Sequence, residues 1–290
     1  MTTLTAVYDL AVGPVSYDVV PFLVQAEMER RKIEATRMHV CLVGEPRIKP
    51  QYDESEASWR LWNICLPAAK LFGATVSLCT DWLQVERMTS EKAWKQWPPD
   101  WRQQSLKRRH HLIGGVISRH AAGESVPSVN ASEHARRKVR SMFATKRLPV
   151  VTMTLRNTYL PERNIDPKEW AEAKRYIERR DYAVVVLHDT DVALSAGQGY
   201  GEFNLDLRAA CYQEAAFNLQ ANNGAASLCW FSDRPYAMFG AGIPADEWSG
   251  LFVRQGLPIG KTWGWALPCQ KIVYRQPNRD VIIEEFEANP

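Results

Sequence analysis

The polar residues that directly follow apolar runs are the ones in this 290-residue chain best placed to do chemistry. In an open parallel α/β sheet, ligands bind outside the carboxyl ends of the strands, so a polar side chain just after a strand outranks one elsewhere. The run VVTMTL at 150–155 leads into Arg156, Asn157, Tyr159, Arg163 and Asn164. A guanidinium offers a planar fork of donors that fits two phosphate oxygens at once, so this loop suits a diphosphate. A salt-bridged surface loop is the structural alternative. The run YAVVVL at 182–187 leads into His188, Asp189 and Asp191. A carboxylate at such a strand end accepts hydrogen bonds from a ribose, and Asp-x-Asp also suits a divalent ion on a diphosphate. A solvated loop with a helix cap is the structural reading, ahead of either ligand role. Ribose or base contact is preferred to metal, so no cofactor is obligatory and a divalent metal is the second choice.

Asn222, Asn223 and Gly224 read as a loop between a long helix over 204–221 and a strand over 226–230. Asn-Gly tolerates positive φ and stops a helix, which alone explains the pair, and the functional alternative has the loop's backbone amides facing a bound ligand. Ser232, Asp233 and Arg234 then follow the apolar LCWF on the same rim, with Arg234 a second phosphate ligand. In the first half, Asp9, Gly13, Tyr17 and Asp18 follow the opening apolar strand. A carboxylate there suits a general base on an acceptor hydroxyl, which makes Asp9 and Asp18 the candidate catalytic residues. A turn for Asp9 and a helix cap for Asp18 are the alternatives. Gly197, Gly199 and Gly201 lie too far beyond a strand for a dinucleotide fingerprint and read as a loop over the cleft.

Regular elements must hold these residues in place. Strands over 3–8, 39–44 and 75–79 alternate with an amphipathic helix from Asp18 and a helix over 58–69. The second half restarts with strands at 150–155 and 182–187 and a helix opened by Asp166-Pro167. The continuous apolar run YAVVVL predicts a strand buried on both faces. The order predicts an α/β protein with two Rossmann-like domains, residues 1–147 and 148–290, whose parallel sheets face across a cleft. The Asp9–Asp18 loop would then lie opposite Arg156, Asn223 and Arg234, with a hinge near Lys146 to Pro149. Residues 90–132 read as irregular structure with short helices, and Trp94, Trp97 and Trp101 as packing residues, with stacking on a sugar or base the alternative. Ser132 predicts the cap of a basic helix buried through Ala135, Val139, Met142 and Phe143.

Composition bounds the rest. Hydrophobic residues at 46% and charged residues at 24% describe a globular chain able to build two cores. No run approaches the roughly 20 apolar residues of a membrane span. The opening MTTLTAVYDLAVGPVSYD lacks a basic segment and carries Asp9 and Asp18, so it reads as a first strand rather than a leader. Six dispersed cysteines without a C-x-x-C pair predict free buried thiols in a reducing cytoplasm. The net charge is +3, yet residues 87–147 carry 14 basic side chains and 4 acidic ones, which favours an anionic partner. A nucleic-acid-binding or nucleic-acid-modifying protein is therefore one class to weigh, and a non-catalytic binder of a nucleotide or its sugar another. His110 and His111 in the basic run read as solvated.

The segments TLRNTYLPERN, VVVLHDTD, DLRAACYQEAAFNLQANNGAASLCWFSDRPYAMF and VYDLAVGPVSYDVVPFLVQAEMERR together resemble glycosyltransferase-like proteins found with bacterial surface polysaccharides. The resemblance implies the GT-B fold, a nucleotide-sugar donor on the second domain, no obligatory metal, and a glycan or other hydroxyl acceptor on the first. By analogy with GT-B fucosyltransferases, Arg156 stands at the place of an arginine that holds the donor diphosphate.

Overall fold

The structure, a computed structural model, describes residues 2–46, 53–90, 94–105, 109–157, 164–188, 204–240 and 252–289. The chain divides into two compact units, Met1–Val129 and Asn130–Pro290.

The first unit holds a four-stranded parallel sheet in the order β3-β2-β1-β4. Its strands are β1 (Thr3–Asp9), β2 (Arg37–Val43), β3 (Thr75–Cys79) and β4 (Trp94–Trp97). β1 lies inside the sheet and is buried along nearly its whole length, as expected of a parallel strand covered on both faces. Helix α1 (Val19–Lys32) is buried continuously from Val19 to Met28, including Gln25 and Glu27. The sequence predicts a one-sided amphipathic helix there, and the burial of two polar residues overrides that pattern. Both are satisfied: the Gln25 amide donates to the His110 carbonyl at 2.7 Å. Burial pushes the Glu27 carboxyl up, and the Arg30 and Arg31 guanidiniums outweigh it and hold the pKa below its ordinary value. Helix α2 (Glu54–Arg60) passes through a π turn at Leu61–Cys65 and runs on to Phe72. Helix α3 (Trp82–Met88) covers one face of the sheet beside Trp101. Helix α4 (Ile113–Ala121) lies close on α1 because Gly115 has no side chain: a Cβ there would fall 2.0 Å from Gln25 Oε1. β4 is a strand inside the segment predicted to be irregular. WKQW carries neither β-branched residues nor clean alternation, and its pairing with β1 from Thr3 to Ala6 makes it a strand.

The second unit opens with helix α5 (Glu133–Ala144), capped by Ser132 and buried at Ala135, Val139 and Phe143 as predicted, with Met142 only half-buried. The domain division therefore falls at 129/130 and not at 147/148. The cause is packing: α5 lies on helix α7 (Leu205–Glu214). Asp206 accepts hydrogen bonds from both the backbone and the hydroxyl of Ser132, at 2.8 and 2.7 Å. Gln213 accepts from Ala131 N–H, and Glu214 from Arg136.

The sheet of this unit runs β6-β5-β7-β8-β9, all parallel. Its strands are β5 (Val150–Thr154), β6 (Ala183–Leu187), β7 (Phe217–Ala221), β8 (Tyr236–Phe239) and β9 (Gln270–Val273). One face packs an apolar core against helices α6 (Pro167–Glu178) and α9 (Arg279–Glu287), through Trp170, Ile177, Phe239 and Ile282. The other face is threaded with hydrogen bonds: Thr152 to Asn218 at 2.6 Å, Asn218 to the Tyr212 carbonyl, and Gln220 to Cys229 Sγ.

Three element expectations are corrected here. The long helix over 204–221 ends at Glu214, and FNLQA becomes strand β7 at the centre of the sheet. The expected strand over 226–230 is a helical turn, with a 3-10 segment at Gly224–Ala226 continuing into α8 (Ser227–Trp230). β6 is an edge strand, half-buried at Ala183, Val184 and Val186, so its apolar run does not mark a strand buried on both faces. All six cysteines are free, and Cys269 is the one not buried.

Candidate functional site

In the second unit the first strand, β5, has β6 on one side and β7 on the other. The chain thus reverses direction of growth between β5 and β7, and a parallel sheet forms its ligand crevice at such a switch point, outside the carboxyl ends. Arg156 follows β5, and Asn222, Asn223 and Gly224 follow β7. Both segments emerge at one rim, because Thr154 is in register with Gln220. The rim is closed by a side chain: Arg156 Nη1 donates to the Asn222 carbonyl. Arg156 is 8% exposed, a buried cation at the strand end where a diphosphate was expected.

The Asn-Gly pair does work different from the predicted helix stop. Asn223 stands at the start of the helical turn, and its Oδ1 accepts from Ala226 N–H at 3.1 Å. The Asn222 Nδ2 and Asn223 Nδ2 donors are buried without a hydrogen-bond partner among the described residues, and so is the Gln220 Oε1 acceptor. Unpaired buried amide donors cost free energy unless something accepts from them, and such donors at a switch point suit an anionic or sugar oxygen. Asn157 is exposed, with Oδ1 accepting from Asn164 at 3.4 Å.

The first half of helix α7 adds a residue the sequence reading missed. Arg208 is fully buried and donates to the His188 carbonyl at 2.6 Å, just past the end of β6. An arginine set between Leu207 and Ala209-Ala210-Cys211 was the available signal, since a cation in an apolar run is rarely idle.

Ser232, Asp233 and Arg234 are not on this rim. They precede β8, and Tyr236 at its start is in register with Asn218, so they lie toward the amino end of the sheet. There Gln270 donates to the carbonyls of Ser232 and Arg234, and Arg234 pairs with Asp233 at 3.3 Å. The misplacement follows from reading LCWF as a strand. Tyr159, Arg163, Asp189 and Asp191 lie outside the described residues, as do Gly197, Gly199 and Gly201.

In the first unit, the loop after β1 is tightly built. Asp9 Oδ1 accepts from Ala11 N–H at 2.9 Å, and the Asp9 carbonyl accepts from Gly13 N–H at 2.7 Å. Burial raises the Asp9 pKa against the lowering effect of the Ala11 and Val12 amides. Tyr8 donates to the Pro14 carbonyl, and its ring occupies the space a Cβ on Gly13 would need, 2.4 Å from Cζ. Asp18 stands at the amino end of α1 without capping it, half-buried, with Oδ2 accepting from Ser16 at 2.9 Å. Tyr17 is buried. His111 is buried too, and His110 is half-buried with Nε2 2.9 Å from Asp100, so neither is solvated as the sequence reading expected.

No protein-family model matches the chain, and neither does any curated protein. Solved structures do. A glycosyl transferase of family 9 from Veillonella parvula aligns with a TM-score of 0.54 at 12% identity, over 99% of this chain and 96% of its own. The Escherichia coli ADP-heptose LPS heptosyltransferase II aligns with a TM-score of 0.53 at 12% identity, over 99% and 98%. The likeness establishes the fold: an α/β chain with two parallel sheets, of the GT-B kind expected from the sequence.

Proposed function

We propose that this protein transfers a sugar from a nucleotide-sugar donor to a hydroxyl acceptor. The observation that carries the reading is a buried Arg156 at the β5/β7 switch point, beside the unpartnered amides of Asn222 and Asn223. The fold neighbours support it, since both are glycosyltransferases by name and one acts with ADP-heptose. In this reading the second unit is the donor domain and the first the acceptor-side domain. Arg156 neutralises the diphosphate as the anomeric C–O bond breaks, with no obligatory metal. Asn157, Tyr159, Arg163, Asp189 and Asp191 complete the donor contacts, the acidic pair by bonding ribose or base.

The acceptor hydroxyl gives its proton to a carboxylate as its oxygen bonds to the anomeric carbon. Asp18 suits that task better than Asp9: it is the more exposed, and its carboxylate accepts from the Ser16 hydroxyl, whereas Asp9 is committed to its own loop. No helix among the described residues is long and apolar enough to cross a membrane. A nucleotide-sugar donor and a glycan acceptor fit a cytoplasmic role in polysaccharide biosynthesis.

The test is a thermal-shift screen of nucleoside diphosphates and their sugars, then a transfer assay with the donor it identifies. A ligand at a hundred times its Kd stabilises the native state by about 2.7 kcal/mol, a shift of a few degrees. Asp18→Asn should keep that shift and lose transfer about a hundredfold or more. Absence of a shift with every nucleotide overturns the reading.

A further inference from the structure

At the amino ends of its strands, the first unit encloses a cavity of about 450 Å³. That is within the roughly 300–1,000 Å³ of small-ligand clefts. Ligands of parallel sheets are expected at the other end. The rise of β1 from Thr3 to Asp9, at about 3.3 Å per residue, separates the two ends by about 20 Å.

The cavity follows from the sheet. Thr3 is in register with both Arg37 and Trp94, and His39 with Thr75, so these five residues line the opening of four adjacent strands. Helix α3 and Trp101 cover the sheet farther along, over Val7, Cys41, Val43 and Cys79. Arg37 is exposed and has no ion pair or hydrogen bond among the described residues, while the neighbouring Arg30 is committed to Glu27 and the Ala35 carbonyl. His39 is 9% exposed. Its Nδ1 lies 2.7 Å from Thr75 Oγ1, and its Nε2 is buried with no hydrogen-bond partner among the described residues. The Trp94 ring is half-buried, 5.6 Å from the His39 ring.

We propose that this cavity binds a phosphorylated sugar, at a site separate from the donor rim of the second unit. Arg37 holds the phosphate, as the cation with no other engagement. The indole of Trp94 takes the apolar face of the sugar ring. A sugar hydroxyl gives His39 Nε2 the partner it lacks, and Thr3 and Thr75 add hydroxyls around it. The contacts come from all four strands, Arg37 and His39 both from β2, so the site exists only in the folded sheet. The proposal does not depend on the glycosyltransferase reading.

Calorimetric titration of the full chain with a panel of hexose and pentose phosphates tests it, with glucose and inorganic phosphate as separate arms. At least one sugar phosphate should bind at millimolar concentration or below, and glucose and phosphate alone about tenfold more weakly each. Arg37→Glu and Trp94→Ala should each weaken binding about tenfold or more. The nucleotide-induced thermal shift of the second unit should stay unchanged. A crystal soaked with the tightest binder should show it in the cavity, which locates the site even where a variant fails to fold. Absence of binding by the whole panel, equal binding of inorganic phosphate alone, unaltered binding by Arg37→Glu, or ligand density elsewhere overturns the proposal.

Discussion

Arg156 is held at its strand end by burial and by its bond to the Asn222 carbonyl, so in the proposed role its guanidinium would lose little freedom on binding a diphosphate. Arg156→Ala should weaken nucleoside diphosphate binding about 10- to 100-fold, the range of one or two charge-assisted hydrogen bonds. Arg156→Lys should recover only part of it, because an ammonium lacks the fork. Calorimetry decides, and an affinity unchanged in Arg156→Ala for every nucleotide the wild type binds would remove Arg156 from the site. A second residue-scale expectation concerns Gly13. The Tyr8 ring fills the place of a Cβ there, so Gly13→Ala should cost about 1–3 kcal/mol in urea unfolding, the usual penalty of overpacking. Arg156 was legible because an arginine just past VVTMTL has one simple reading in a parallel sheet. Arg208 was not: its meaning depends on His188 lying above it, twenty residues away in sequence.

Among elements, the switch point was only partly legible. β5 and β6 carry β-branched runs, and the sequence placed both. β7 carries FNLQA, without one β-branched residue or any glycine or proline before it, so it read as the end of the preceding helix. What makes it a strand is tertiary: Asn218 and Gln220 are fully buried, Asn218 bonding to Thr152, Tyr212 and Pro235 and the Gln220 Nε2 to Cys229. The same slip turned α8 into a strand and carried Ser232, Asp233 and Arg234 to the wrong end of the sheet. α5 shows the converse. Its cap and stripe were plain in the sequence, but the face it covers was not, since its partners Asp206, Gln213 and Glu214 are 74 to 82 residues away. A fragment of residues 130–290 should therefore fold and bind the donor nucleotide, whereas 148–290 should be aggregation-prone or molten through the bared face of α7. Circular dichroism melts of the two fragments check this, and equal cooperativity in both would contradict the assignment of α5.

For the whole molecule, charge is less lopsided in space than in sequence. Within the basic stretch, Arg102 pairs with Glu86, Arg119 with Glu29 and Glu124, Arg136 with Glu214, and Arg140 with Glu133. Four of the fourteen cations of that stretch are thus engaged by carboxylates, which leaves fewer for a phosphate backbone, and nucleic-acid binding should be weak. An electrophoretic shift series should show no complex at physiological salt, and a tight complex that dissolves steeply as salt rises would revive that reading. The rim between β5 and β7 has one more consequence, in time rather than in space. The Arg156–Asn222 bond joins residues 66 apart in sequence, and β5 and β7 become neighbours only after the intervening chain has closed as a loop. Contacts of such separation are slow to form, because the entropy of closure precedes any reward. In the proposed reading, nucleotide affinity should therefore return late in refolding, only with the finished centre of the sheet.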